Sequence, residues 1–500
     1  MKIVPARACA LALLCAALPG GAGEELALPS QETLERTLRE AVAGSCAGQK
    51  FGVDPDLTRA ARAFALAVQT GRAHTSGSAL SFFASLESME PSPSAGVATV
   101  SPPANADRAV GDLFPKTCRF NRAGVAAAQL PQGQAVVAVL TALHATTLVK
   151  IPGQVRRGTA IKLVGRLSAG LKSPRLFLLQ PGGEVQESSL TVEGDRISAR
   201  IVLEARGEHS IEVLAEGAGG PQVTALRRVF VGVDAPTSPP PERSPAAGTG
   251  LAAVEASIAQ LRAAHGLPPV SRDPALDAVA EGHSKAMAKS QTFAHVLQAD
   301  GSLGDRLRKS GYAYRSAGEN IGLSADAVTA HEAVASSPAH LANLLDPRHN
   351  RLGLGAVTGT SPDGAEAVYL TEVLALPIVG AADPAGEIRK VIAAGRKKRN
   401  LPALSADKAL TALAQHEISA VALAGLPLAQ KTEVAQRALE ADANLQSAVA
   451  ELFVGSSPDE AAGSQNLAEP RWTRLGVGAL YASSQAYGPG RLWVLILYGR

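Results

Sequence analysis

The 500-residue sequence contains few aromatic residues, few cysteines and almost no net charge. Aromatic side chains make up 4% of the chain, which leaves little material for stacking against bases or sugar rings. The formal net charge is only +3, so the sequence lacks the basic balance typical of nucleic-acid-binding proteins. Hydrophobic residues nevertheless reach 46%, which is too many for a mainly disordered chain. At roughly 150 residues per domain, the length predicts three to four folded domains.

The first 23 residues have the pattern of an export signal. Lys2 and Arg7 give a positive start, residues 8–18 are apolar, and positions 19–23 hold small residues and a proline. This apolar run is too short to span a bilayer, and no run of 18 or more apolar residues follows it. We therefore expect residues 1–23 to be a signal peptide and the mature protein, without a transmembrane segment, to be periplasmic or secreted.

Two cysteines, Cys46 and Cys118, remain after removal of the predicted signal. Two cysteines are too few for a cysteine-rich zinc site. An even number of cysteines in an exported protein favours a disulfide, so we predict a Cys46–Cys118 bridge, with two free buried thiols as the alternative.

Composition divides the mature chain into five regions. Residues 30–145 begin with apolar residues at helical spacing, whereas residues 147–233 contain about seven short runs of Val, Ile, Leu and Thr separated by turns, which favours an antiparallel β-sandwich. Residues 234–249 are rich in proline and are predicted to be a linker. Residues 250–378 and 383–500 are predicted to be two further mixed helical and strand units.

Three segments of the chain share one pattern of residues. Each begins with Asp, has Leu three and Ala seven positions later, and ends with Arg-x-x-Arg-x-Gly. The three patterns run from Asp54 to Gly124, from Asp273 to Gly353 and from Asp407 to Gly476. Six of the ten histidines lie between residues 250 and 376, around the middle copy. We interpret the outer copies as degenerate relatives of the middle one.

Four polar residues of the middle copy form a candidate site. They are His295, Glu319, Glu332 and His340. Two imidazoles and two carboxylates can hold a divalent metal such as zinc, and they can also act as acid–base pairs. The alternative is a set of locally bonded histidines and solvated glutamates.

The motifs around these residues resemble the CAP superfamily, also called the SCP domain, of cysteine-rich secretory, antigen 5 and pathogenesis-related-1 proteins. The similar stretches are "LRAAHGLPPVSRDPALDAVAEGHSKAMA", "FAH", "DRLRKSGY", "GENI", "SSPAHLANLLDP" and "RLGLGAV". The resemblance implies an α–β–α sandwich with an open cleft in which the four residues form a His/Glu tetrad. The predicted fold class is therefore α+β multidomain: one CAP-like domain, two degenerate CAP-like units and one β-sandwich.

This chain departs from the family pattern at two positions and in its outer copies. Val334 stands where family members usually carry Trp, and Leu341 where Arg is common, so the floor and rim of the cleft are expected to differ. In the third copy, Gly455 and Gly463 occupy the positions of Glu332 and His340, so that copy cannot form the tetrad.

Two further histidines of the middle copy are predicted to lie outside the tetrad. We expect His283 to be a partly exposed helix residue and His349 to be solvated in a loop.

These observations favour an exported bacterial protein with a binding or scaffold role at the cell envelope or outside the cell. In the metal-dependent version, His295 and His340 are ligands, while Glu319 and Glu332 orient waters or imidazole N–H groups. One alternative is a metal-assisted hydrolase acting on protein or cell wall, with Glu319 or Glu332 as general base. Lipid or sterol binding is another. The expected partner is an extracellular protein, glycan or lipid and not a nucleic acid.

Overall fold

The computed structural model describes residues 27–48, 50–114, 117–241, 250–378, 383–424, 431–484 and 487–500. The predicted signal peptide and residues 242–249 of the predicted linker lie outside these ranges. The chain forms two compact units: the first contains the described residues up to Ser88, with Ser92–Leu143 and Pro236–Pro240, and the second contains Met89–Pro91, His144–Ala235 and the described residues from Pro241 onward. No helix within these ranges is long and apolar enough to cross a membrane.

The first unit is a four-stranded sheet with helices on both faces. Its elements are α1 (Gln31–Ser45), β1 (Gly52–Val53), α2 (Pro55–Gln69), α3 (Gly77–Glu87), β2 (Ser94–Val100), α4 (Ala106–Leu113), β3 (Arg122–Leu130) and β4 (Gln134–Ala142). The strand order is β1-β3-β4-β2, and only the β1–β3 pair is parallel. Helices α1 and α4 share one apolar cluster with the sheet, and α2 and α3 share another. The predicted disulfide between Cys46 and Cys118 is present and is thereby confirmed.

The second unit begins with two sheets around one apolar core. Their strands are β5 (Thr146–Leu148), β6 (Gln154–Val155), β7 (Ala160–Leu167), β8 (Lys172–Leu179), β9 (Val185–Ser188), β10 (Thr191–Glu193), β11 (Arg196–Val202), β12 (Gly207–Gly217) and β13 (Gly220–Val231). The sheets have the orders β10-β11-β7-β5 and β6-β13-β12-β8-β9, and both contribute to the same buried cluster. Sequence analysis predicted about seven strands. The short edge strands β6 and β9 escaped it because they bury little apolar surface.

The next part of the second unit carries the candidate site. Its elements are α5 (Leu251–Ala264), β14 (Ser271–Arg272), α6 (Pro274–Ser290), α7 (Leu303–Lys309), β15 (Tyr314–Ser324), α8 (Ala327–Ser336), α9 (Pro338–Leu344), β16 (Arg351–Thr360) and β17 (Glu366–Pro377). The strand order is β14-β16-β17-β15, with β14 and β16 parallel. Because side chains alternate along a strand, β16 and β17 turn one face toward α6 and the other toward α5, α8 and α9.

The last part of the second unit has the same strand arrangement. Its elements are α10 (Pro384–Lys398), β18 (Ser405–Ala406), α11 (Lys408–Ala424), α12 (Lys431–Ala441), β19 (Ala448–Gly455), β20 (Arg474–Ser484) and β21 (Gly488–Gly499). The order β18-β20-β21-β19 again has one short parallel pair. It corresponds strand for strand to the sheet of the first unit and to the sheet formed by β14–β17.

The repeated sequence pattern corresponds to one packing contact that occurs three times. A Cβ atom added to Gly124 would lie 2.4 Å from the carbonyl carbon of Leu57. The corresponding distance is 2.3 Å between Gly353 and Leu276, and 2.3 Å between Gly476 and Leu410. In each case, the strand approaches the helix after the repeated Asp too closely for any side chain at the glycine. The pattern is therefore explained by helix-on-sheet packing.

A buried arginine makes the same kind of contact in the part at residues 250–378 and in the part at residues 383–500. Arg262 on α5 donates hydrogen bonds to the carbonyl oxygens of Pro268, Leu344, Asp346 and His349. Arg396 on α10 bonds the carbonyl oxygens of Pro402, Leu467, Glu469 and Trp472 in the same manner. Each guanidinium thus satisfies buried carbonyl groups of the turns that lead into the sheet.

Candidate functional site

His295 and Glu319 form the centre of the candidate site. His295 lies in the loop between α6 and α7, and Glu319 lies on β15. The Nδ1 atom of His295 is 2.9 Å from Oε1 of Glu319, and Glu319 is only 7% exposed. An ionised carboxylate only accepts hydrogen bonds, so the Nδ1–H of His295 is the donor.

Arg306 on α7 holds the other oxygen of the Glu319 carboxylate. Its guanidinium donates to Glu319 Oε2 and also to the carbonyl oxygens of His295 and Gly301, at 3.2 Å and 2.8 Å. Burial by itself would raise the pKa of Glu319, but the hydrogen bond from His295 and the charge of Arg306 outweigh it, and the pKa lies below its ordinary value. Glu319 is therefore ionised at neutral pH, and both of its oxygens are committed to neighbours.

His340 lies beside His295, near the start of α9. The two imidazole rings are stacked, with centroids 6.3 Å apart and planes inclined by 21°. The Nδ1 atom of His340 is 2.7 Å from the Ser337 hydroxyl oxygen. Burial, reinforced by the neighbouring His295, lowers the pKa of His340 to about 4. The His340 imidazole is consequently neutral at physiological pH and retains one nitrogen lone pair.

Glu332 occupies a different environment from the other carboxylate of the predicted tetrad. It lies on α8 with an exposed side chain, whereas Glu319 is buried against His295 and Arg306. The contacts described above join His295, Glu319 and His340. Burial thus distinguishes two carboxylates that the sequence motif presents as equivalent.

A second buried carboxylate, which sequence analysis missed, lies next to His340. Glu212 belongs to β12 and is fully buried. Its Oε2 is 2.5 Å from Ser337 Oγ, and its Oε1 accepts a 2.9 Å hydrogen bond from the Ala339 N–H. Burial raises the pKa of Glu212 to about 7, although both hydrogen bonds oppose the rise. The one signal in the sequence is a glutamate flanked by Ile211 and Val213 within a predicted strand.

Of two further histidines, one was predicted to be partly exposed and the other solvated, but both are buried and both predictions are wrong. His283 is 0% exposed, because the side of α6 that carries it is covered by the following loop. Its Nδ1 is 2.8 Å from Asp300 Oδ2, and its Nε2 is 3.1 Å from the Ala294 carbonyl oxygen. His349 is 3% exposed and contacts Ser316, which lies on β15.

The predicted zinc site can use only donor atoms that are not already bonded to neighbouring residues. Glu319 is occupied by His295 and Arg306, and the cationic guanidinium of Arg306 opposes a metal ion at that carboxylate. Within the described part of the chain, no group of three or more His, Cys, Asp or Glu side chains is placed to hold a metal ion. The donors that fit are the His295 and His340 rings, each with its Nδ1 oriented by a neighbour, as is common for metal-ligating histidines.

Comparison with known proteins identifies the part of the chain that carries this site. Residues 256–373 match the family described as CAP: Cysteine-rich secretory protein family. The chain therefore contains a domain of the CAP family, and His295, Glu319, Glu332 and His340 all lie within it.

Similar proteins cover only parts of the chain. A protein of Bacillus subtilis, described as uncharacterized membrane protein YlbC, is 36% identical over 96 residues, which are 19% of this chain and 28% of that protein. The chain thus matches less than a third of the length of this curated relative.

Solved structures of bacterial surface and extracellular proteins are also similar in part. An outer surface protein from Borrelia burgdorferi is 17% identical, with a TM-score of 0.23, over 26% of this chain and 92% of that one. An extracellular protein of Bacillus anthracis that contains an SCP domain is 20% identical, with a TM-score of 0.23, over 38% and 66% of the two chains.

Proposed function

We propose that this protein is an exported binding or scaffold protein that acts at the cell envelope or outside the cell through its CAP domain. The pair of adjacent, oriented imidazoles formed by His295 and His340 is the observation that carries the proposal. The predicted export signal at residues 1–23 and the CAP-family match at residues 256–373 support it.

The chemistry of the histidine pair favours a ligand that accepts nitrogen lone pairs. His340 is neutral because of its low pKa, and Glu319 and Ser337 each hold one Nδ1 atom. A divalent cation such as zinc is one ligand of this class, and His295 and His340 would hold it. Such an ion would supply Lewis acidity at the site. A hydrogen-bond donor on a protein, glycan or lipid is another ligand of this class.

Binding is a better proposal than hydrolysis for this cleft. A general base must be able to take a proton from an attacking water molecule. Glu319 is buried, has a lowered pKa and holds two partners, so it acts as a positioning residue. Hydrolysis would therefore have to use the other carboxylate, Glu332, which is exposed on α8.

The regions at residues 30–145 and 383–500 are degenerate CAP-like domains in this proposal. Their sheets have the strand order of the CAP domain, and they repeat its helix-to-glycine contact. In the region at 383–500, Gly455 and Gly463 stand at the positions of Glu332 and His340. We propose that both regions serve as packing elements or as binding surfaces.

Native mass spectrometry of the exported protein tests the proposed function. The wild-type protein is expected to retain a metal ion or small molecule, or to gain one on addition of zinc. The His295→Ala/His340→Ala double variant is expected to lose that mass. If the two proteins carry the same bound mass, both with and without zinc, the histidine pair has no role in binding either class of ligand.

A further inference from the structure

The CAP cleft is in contact with the β-sandwich that precedes it in the second unit. Leu179 and Val185 of the sandwich pack against the apolar cluster beneath α5, α8 and α9. In the turn between β12 and β13, the Gly219 carbonyl oxygen accepts a 3.0 Å hydrogen bond from the Val296 N–H. The sandwich therefore contacts the segments that carry both histidines of the cleft.

Gly220 shows how closely this turn approaches His295. Its φ angle is +90°, and an added Cβ atom would lie 3.1 Å from the Cβ of His295 and 3.1 Å from Cγ2 of Val296. A side chain at this position would be strained and would also press on the cleft.

The second point of contact is a continuous chain of polar groups. Glu212 Oε2 lies 2.5 Å from Ser337 Oγ, which lies 2.7 Å from Nδ1 of His340. Glu212 Oε1 accepts from the N–H of Ala339. The first two links form one path from the middle of β12 to the imidazole ring, and the bond to Ala339 holds Glu212 against the start of α9.

The donors and acceptors of this path determine the position of the imidazole proton. Above about pH 7 Glu212 is ionised and can only accept, so the single proton of the Ser337 hydroxyl is then donated to Glu212. The oxygen of Ser337 must then accept from His340, which places the proton on Nδ1. Because a neutral imidazole has one N–H, the lone pair of His340 is on Nε2.

We propose that Glu212 of the β-sandwich is a positioning residue of the CAP cleft, which fixes the tautomer and orientation of His340 through the Ser337 hydroxyl. The sandwich is then a structural part of the site and not only a spacer. This inference goes beyond the proposed function, because it concerns the state of the imidazole and holds for any ligand.

Burying this carboxylate has an energetic cost, which strengthens the inference. Burial raises the pKa of Glu212 to about 7, so the folded protein disfavours its charged form. A hydrophobic side chain at the same position of β12 would avoid that cost. A carboxylate that is fully buried and bonded toward α9 is better explained by its effect on Ser337 and His340.

The test is nitrogen NMR of the full chain with labelled histidine, at about pH 8.5, above the pKa of Glu212. His340 is assigned with a His340→Gln variant. The wild-type spectrum is expected to show His340 mainly as the Nδ1–H tautomer. In Glu212→Gln, the amide oxygen stays on the Ala339 N–H, so the amide NH₂ faces Ser337 Oγ. Ser337 then donates to His340, and the tautomer ratio is expected to reverse toward Nε2–H.

Two further variants keep this test decisive. Glu216 is an exposed glutamate of the same strand, and Glu216→Gln is expected to leave the tautomer ratio unchanged. If Glu212→Gln does not fold, Ser337→Ala removes the link itself and is expected to shift His340 away from the Nδ1–H tautomer. A wild-type protein with the proton on Nε2 would overturn the proposal. A folded Glu212→Gln protein with an unchanged ratio would overturn it as well.

Discussion

Burial separates the roles of the two glutamates that the sequence motif places in the cleft. Glu319 is buried with His295 and Arg306 on its two oxygens, whereas Glu332 is exposed on α8. A buried carboxylate that neutralises a buried guanidinium is required for the local fold, because its loss leaves an uncompensated charge.

Substitution of the two glutamates by glutamine tests this distinction. Glu319→Gln leaves the charge of Arg306 unpaired in a buried position, and we expect the free energy of unfolding to fall by about 3–5 kcal/mol. Glu332→Gln, the matched control on α8, is expected to change it by no more than about 0.5 kcal/mol. Urea unfolding monitored by circular dichroism measures both. Equal effects of the two substitutions would argue against a buried Glu319–Arg306 pair.

Glu212 gives the protein a predictable dependence of stability on pH. Its ordinary pKa is 4.5 and its pKa in the folded protein is about 7. Below about pH 4.5, the group is protonated in both the folded and the unfolded chain. As the pH rises toward 7, the unfolded chain ionises more readily than the folded one, so the stability due to this group is progressively lost.

Thermal unfolding between about pH 5 and pH 8 checks this dependence. The Glu212→Gln variant lacks the titrating group, so its melting temperature relative to wild type is expected to rise with pH. Glu216→Gln again serves as the control. Melting curves of wild type and Glu212→Gln that shift in parallel across this range would be inconsistent with a raised pKa.

The sequence identified the two motif histidines but not the residues that hold them. His295 and His340 are found from short motifs that resemble the CAP family. Ser337 and Glu212 are 125 positions apart in sequence and meet only because one strand of the β-sandwich packs against α9. His283 was predicted to be partly exposed and His349 to be solvated, because spacing within one helix or loop does not reveal what covers it.

At the level of secondary structure, each repeated helix is tied to its sheet by a strand glycine. Gly353 lies against the backbone of Leu276 in α6, and an added Cβ atom would be 2.3 Å from the Leu276 carbonyl carbon. Backbone cannot yield as a flexible side chain can, so α6 would have to move away from β16.

Gly353→Ala is therefore expected to destabilise the CAP domain by about 1–3 kcal/mol. The matched control is Gly282→Ala on α6, where nothing lies within 4 Å of an added Cβ atom and where alanine favours the helix. Urea unfolding of both variants provides the comparison. A Gly353→Ala protein as stable as Gly282→Ala would contradict the close helix-to-strand contact.

The elements that bury apolar surface were predicted best from the sequence. Helices α2, α6 and α11 follow the repeated aspartates, because the carboxylates of Asp54, Asp273 and Asp407 accept hydrogen bonds from the first backbone N–H groups. The two-residue strand β6 and the edge strand β9 left no comparable pattern, since their order depends on neighbouring strands.

At the scale of the whole molecule, the disulfide stabilises the first unit alone. Cys46 and Cys118 are 72 residues apart and both lie in that unit. We expect the Cys46→Ser/Cys118→Ser variant to lower the free energy of unfolding of the first unit by about 4 kcal/mol. The His340 tautomer, in the second unit, is expected to stay the same. Hydrogen exchange measured separately for the two units tests both, and equal loss of protection in both units would contradict the assignment.

Composition divides the chain at the proline-rich stretch after residue 233, whereas the compact units of the structure divide it after Leu143 and group Pro236–Pro240 with the first unit. The proline-rich stretch after residue 233 and the strand-rich stretch before it were visible in the sequence. The contact between the β-sandwich and the CAP domain was not, because its polar part consists of a single glutamate and a glycine turn. Sequence analysis therefore missed this contact, whereas the structure places the sandwich against the cleft.

Calorimetric titration with zinc is the most direct measurement of the role of the histidine pair. The exported wild-type protein is expected to bind zinc stoichiometrically through His295 and His340, and the His295→Ala/His340→Ala variant is expected to give no binding heat. Indistinguishable titrations of the two proteins would show that the paired imidazoles are not a zinc site.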